Sequence, residues 1–266
     1  MRQQWCSIGA VDITQLPAEG SRGIDTFSVA VISRAESFGA LLEAFRVVEA
    51  EHRMRGRCFV TLDSLNQCLY TSGHARDMND LEDGVEYPEE DTREALAEYD
   101  AALFKAAGAA LRRSSGAASW ESLCKSRVVS FDDVDALVAM NRDPGCVLDD
   151  RHIVQCLPTD DGADLLANIP NGYFDGDMDP FQCYAVARRL NERHGYTLFG
   201  IGASALGFLS AVDSAERDWD ALLADLQELH GHQDSAAWDE LVPLLRESPV
   251  LLLGYTEEFA ALVEAE

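Results

Sequence analysis

The residues Asp175-Gly176-Asp177-Met178-Asp179 alternate carboxylates with spacer residues, the pattern of a calcium loop, which needs oxygen ligands at fixed steps. The remainder of that pattern is missing. A loop opening at Asp175 requires Gly at its sixth position and Glu at its twelfth, where this chain has Pro180 and Val186. Asp179 suits the N-cap of a helix, with Asp175 and Asp177 in a solvated turn. Gly200-Ile201-Gly202-Ala203-Ser204-Ala205 matches the glycine fingerprint of dinucleotide sites, but Leu206-Gly207-Phe208-Leu209 reads as a strand. A pyrophosphate would need a helix N-terminus there. Ser204 does not sit in the five-residue frame of a nucleophile elbow. His230, His232 and Asp234 could ligate a metal, yet they occupy a polar connection where histidine is simply tolerated. Cys183 and His194 share a helix face but stand about 16 Å apart at 1.5 Å per residue, too far to hold one ion. The expectation is therefore no catalytic set, no cofactor and no metal.

The seven cysteines are spread without CxxC pairs, several of them inside apolar patterns, which suits buried thiols in a reducing compartment. Apolar runs such as Phe27 to Ile32 and Val250 to Leu253 are strand-sized, far short of the roughly 20 residues that span a bilayer. No signal-peptide pattern opens the sequence. A soluble, cytoplasmic protein is expected.

Charge is the most informative bulk property. Across 266 residues, 21 Lys and Arg face 47 Asp and Glu, a net charge of −26. The excess is uneven: residues 1–133 carry 14 basic and 22 acidic side chains, and residues 134–266 carry 7 and 25. Such a surface repels nucleic-acid phosphates and anionic membranes, and draws in basic proteins.

The elements that must position these residues alternate in type. Phe27 to Ser33 reads as a buried strand, and Ser33 with Glu36 forms a capping-box pattern ahead of a helix carrying Phe38, Leu41, Leu42, Phe45 and Val48. Gly56 ends that helix, and Cys58 to Leu62 forms the next strand. Residues 71–91 turn polar and acidic and read as an exposed loop, before a capping pattern at Asp91 and an alanine-rich helix running to Arg113. In the second half, Ser130 to Asp133 opens a short helix, residues 147–157 form a strand, and residues 161–168 a helix. Asp179, Pro180 and Gln182 then start a helix that stops at Gly195. Two strands follow around a turn at Gly202-Ala203-Ser204. The tail holds a helix capped near Asp213, a second containing Pro243, a strand from Pro249 to Tyr255 and a last helix capped by Thr256. The fold class is α+β: mixed sheet packed with amphipathic helices, either as one domain or as subdomains of residues 1–114 and 115–266.

From Pro170 to Leu209 an acidic aromatic loop, a capped helix and a glycine-rich strand pair resemble some uncharacterised bacterial proteins that accompany secreted toxins as immunity partners. The resemblance implies a binding protein and identifies no functional residue. Together with the charge, it leads to the expectation of an immunity-like or antitoxin-like protein that neutralises a basic partner, such as a cognate toxin, by occluding its active site. The exposed residues Tyr173, Phe174, Asp175 and Asp177 are the candidate contacts, offering aromatic anchors beside carboxylates. The alternative is an enzyme or small-molecule binder without a readable short motif.

Overall fold

The computed structural model describes residues 5–8, 11–16, 24–114, 119–126, 131–231 and 235–264. The first half contains β1 (Trp5–Ile8), β2 (Val11–Gln15), β3 (Ser28–Ser33), α1 (Phe38–His52), β4 (Arg57–Thr61), α2 (Leu65–Met78) and α3 (Arg93–Ser114). Next come α4 (Trp120–Ser126), α5 (Phe131–Arg142), β5 (Arg151–Leu157), α6 (Pro180–His194), β6 (Tyr196–Ile201) and β7 (Ala205–Ser210). The chain closes with α7 (Trp219–Leu229), α8 (Trp238–Glu247), β8 (Val250–Gly254) and α9 (Ala261–Glu264). The fold is α+β, and no described helix is long and apolar enough to cross a membrane.

The described strands form one mixed sheet in the order β1-β2-β3-β5-β4-β6-β7-β8. Strand β5, from the C-terminal half, lies antiparallel between β3 and β4 of the N-terminal half. Residues 1–114 and 115–266 therefore share one sheet and one hydrophobic core rather than folding as separate subdomains. Strands β3 and β4 run parallel with α1 as their crossover, and β4 pairs directly and in parallel with β6. Consecutive residues along β4, β5 and β8 are buried, so both faces of these strands are covered.

The β3-α1-β4 unit forms where its alternating periodicities place it, but its cap differs. Ser37, not Ser33, accepts the N–H of Ala40 at 3.2 Å. Arg34 adopts a left-handed conformation and pairs with Asp12 of β2, so the helix cannot begin at Ser33. The expected loop over 71–91 is helical in its first part, since α2 runs to Met78. Thr92 rather than Asp91 accepts the Ala95 N–H that opens α3, while Asp91 takes the Tyr87 hydroxyl. The segment 163–167 is a 3-10 turn, β5 begins at Arg151 after another such turn at 144–147, and Asp218 caps α7 while Asp213 caps the short turn before it. Thr256 does not cap the last helix; its hydroxyl oxygen is buried without a partner. The expected cap at Ser130 lies outside the described residues.

Two buried carboxylates fasten the layers. Asp225 on α7 accepts Arg189 (2.8 Å), Arg193 (2.9 Å) and His194 (2.7 Å), all on α6. Burial disfavours its ionisation, but the hydrogen bonds of Arg189 and His194 and the charges of Arg189 and Arg193 outweigh that and hold it below the usual carboxylate range. Asp63 follows β4 and reaches the β6-β7 turn, where its Oδ2 accepts the Ser204 N–H at 2.8 Å and its carbonyl accepts that of Ala203. Its Oδ1 is buried with no partner, and burial raises its pKa to about 7 against the pull of the Ser204 N–H. The hydroxyl of Tyr255 grips the same turn through the carbonyls of Gly202 and Ala203, at 2.8 and 2.7 Å.

At the free edge of the sheet, Asn141 of α5 donates to the Leu252 carbonyl (2.8 Å) and accepts the Leu252 N–H (2.9 Å), as a neighbouring strand would.

Asp225→Ala strands His194 and removes the α6-α7 clamp. It is expected to cost about 3 kcal/mol at neutral pH by denaturant titration. The gap between the two proteins should narrow once pH falls through the depressed Asp225 value, because the protonated side chain no longer attracts its three partners. Asp63 works in the opposite sense. Between about pH 4 and 7 the unfolded carboxyl is ionised while the folded one keeps its proton, so stability falls as pH rises through that window and levels off above it. Asp63→Asn keeps an acceptor for Ser204 and removes this decline. Relative to wild type, its Tm should climb from pH 4 to pH 8; a constant difference across that range would refute the assignment.

Candidate functional site

The candidate surface is built where β4 delivers the chain into α2 and where the loop before α6 folds back onto it. Tyr70, His74 and Met78 stand four residues apart, which places them along one face of α2, while Cys68, Thr71, Ser72 and Ala75 are buried on the other. The outward face continues onto the loop. The Tyr70 ring meets His74 edge-on at 4.5 Å, His74 lies 4.9 Å from Tyr173, and Tyr173 lies 5.0 Å from Phe174. Much of this row is open to solvent: Tyr70 is 60% exposed, Met78 62% and Phe174 53%.

Helix and loop are locked together from beneath. The Thr71 hydroxyl donates to Asn171 Oδ1, and Asn171 Nδ2 donates to Cys68 Sγ at 3.3 Å. Gly172 has φ +99°, and a Cβ there would lie 1.8 Å from the Met178 carbonyl oxygen, so only glycine lets the loop close on itself. The Asp177 N–H donates to the Phe174 carbonyl at 2.9 Å, and Asp177 Oδ2 accepts the Phe174 N–H at 3.2 Å. Asp177 Oδ1 accepts the Glu257 N–H at 3.0 Å, and the Met178 N–H reaches the Tyr255 carbonyl at 2.8 Å. Through Tyr255 the loop is fixed to the turn that Asp63 holds.

The carboxylates of this segment thus have distinct roles. Asp179 forms a complete capping box with Gln182, as its sequence position predicts. Asp177, grouped with the solvated residues from sequence, instead shapes the loop. Asp175 is exposed, and the exposed Glu257 side chain lies against its neighbour Gly176. Between loop and helix lies an open cleft of about 520 Å³, lined by Met78, Asn79, Tyr173, Phe174, Asp175 and Asp177 among others.

All four sequence-derived contact candidates, Tyr173, Phe174, Asp175 and Asp177, line that one cleft. Their neighbours Tyr70, His74 and Met78 were absent from the sequence reading. The signal for them was the four-residue spacing itself, set against Cys68, Thr71, Ser72 and Ala75 on the inner side. The other chemistry-bearing motifs go elsewhere. Gly202 to Ser204 form a turn between strands, and His230 is fully buried, with Nδ1 at 2.9 Å from the Leu226 carbonyl and its ring against Trp238. His232 and Asp234 lie outside the described residues.

This arrangement offers adhesion more readily than bond-making: a rigid row of rings with a soft methionine at one end, edged by carboxylates. Comparison of the chain with protein-family models, with curated proteins and with solved structures finds no match.

Proposed function

We propose that this chain is a binding protein of the immunity or antitoxin kind, which captures a basic partner protein such as an effector toxin and occludes its active site. The carrying observation is the Tyr70-His74-Tyr173-Phe174 row with Met78, exposed at Tyr70, Phe174 and Met78 and half-buried at His74 and Tyr173, on a hydrogen-bonded frame beside acidic side chains. Interfaces concentrate their energy in a few aromatic anchors, and rings already locked in place lose little entropy on docking. The net charge of −26 steers a basic partner toward the chain, and Asp175 and Glu257 supply local acceptors for its Lys and Arg side chains. A toxin that grips phosphates with arginines presents the surface such a strip complements.

The test compares immobilised wild-type protein with Tyr70→Ala/Phe174→Ala and Asp175→Lys variants, using native-host extract at low and high salt. A basic protein retained by the wild type and lost from the ring variant is expected. With that partner purified, Phe174→Ala should weaken binding by about 2 kcal/mol, roughly thirtyfold, through faster dissociation. Asp175→Lys should instead slow association and flatten its dependence on salt. The captured protein's own activity should fall on adding wild type and recover with the ring variant. Retention unaffected by either substitution, or no protein held at low salt, would sink the reading.

A further inference from the structure

At the amino end of β4, remote from the strip, the charge of the molecule reverses locally. The segment 46–57 holds four arginines, Arg46, Arg53, Arg55 and Arg57, against two glutamates. All four arginines are exposed, and none belongs to an ion pair within 4 Å among the described residues, whereas Arg112, Arg142, Arg188, Arg189 and Arg193 each do. Gly56 sets the geometry. Its φ is +132°, and a Cβ would lie 1.9 Å from the Leu157 carbonyl oxygen, so the chain turns tightly from α1 into β4 and brings Arg53 and Arg57 together. The Arg57 Nε donates to the Asp160 carbonyl at 2.6 Å, which holds that guanidinium in place while its two terminal nitrogens remain available. Between these residues lies an open cleft of about 420 Å³ lined by Arg46, Glu49, Arg53, Gly56, Arg57 and Asp160.

We infer that this cleft binds a small phosphate-bearing anion through Arg46, Arg53 and Arg57. Guanidinium forks match phosphate oxygens two at a time, and several converging arginines favour a compact ligand of multiple charge over a monocarboxylate. Small size is imposed by the surroundings. A nucleic-acid strand would extend beyond the patch onto a chain of net charge −26, whereas a molecule confined to the cleft is shielded from most of that field by a Debye length of about 8 Å. The Glu49 carboxylate between Arg46 and Arg57 repels an anion in part, so affinity should rise when Glu49 is neutralised.

Calorimetric titration of the full chain at an ionic strength of about 0.15 M, with inorganic pyrophosphate as probe, tests this directly. Saturable binding at millimolar or lower concentration is expected, weakened by added salt, at least about tenfold weaker in Arg53→Gln/Arg57→Gln, and tighter in Glu49→Gln. Backbone amide shifts on titration should centre on residues 53–57 in the wild type, a readout that does not depend on the variants folding. Citrate, of comparable charge, should bind more weakly. Absence of pyrophosphate binding, equal binding by the arginine variant, shifts centred elsewhere, or preference for citrate would each overturn the assignment.

Discussion

Strand β5 is the pairing on which the molecule depends. It enters the sheet between β3 and β4, strands that the chain has already joined through α1, and so completes a sheet that the first half alone leaves open. The join reaches beyond the ladder, with the Thr61 hydroxyl accepting the Ile153 N–H at 2.8 Å and His152 contacting the Thr61 carbonyl at 2.7 Å. Because β4 is held between β5 and β6, both from the second half of the chain, its carboxyl end is fixed by contacts distant in sequence. The candidate surface grows from that end, through Asp63, α2 and the loop held by Tyr255.

The acidity expected to be one property divides into several. Asp179 and Asp218 satisfy helix N-termini, Asp177 folds its own loop, and Asp225 and Asp63 are buried fasteners between layers. Asp175 and the other solvated carboxylates remain to set the outer field. Reversal of that field around Arg53 and Arg57 gives the molecule two chemically opposite ends, separated by the length of β4.

Much of the fold was legible because its central segments obey simple periodicities. The β3-α1-β4 unit, the capped α6 and the β6-β7 pair announce themselves through apolar spacing and a complete capping box. Helix α2 did not. Its inner side is made of Cys, Thr, Ser and Ala rather than large apolar residues, Gly73 interrupts it, and Ser64 does not cap its first turn, where the distant Asp149 accepts the Leu65 N–H at 2.7 Å instead, so tertiary contacts such as this and the Thr71-Asn171 link stabilise what propensity leaves weak. The loop half of the strip could be chosen from composition, since exposed aromatics beside aspartates stand out. The helix half depended on an element that the sequence conceals. Separate subdomains were a fair reading of a chain this long; only the insertion of β5 removes that option, and register between distant strands leaves no local signature.

Asn141 has a consequence for how this protein can meet others. An exposed sheet edge invites partners to add a strand, a mode that reads main chain and tolerates many sequences. By occupying both backbone groups of Leu252, the side chain of Asn141 closes that route along the middle of β8. A strand added there would first have to displace a buried amide, so the middle of β8 is closed to main-chain pairing for as long as α5 stays packed on it.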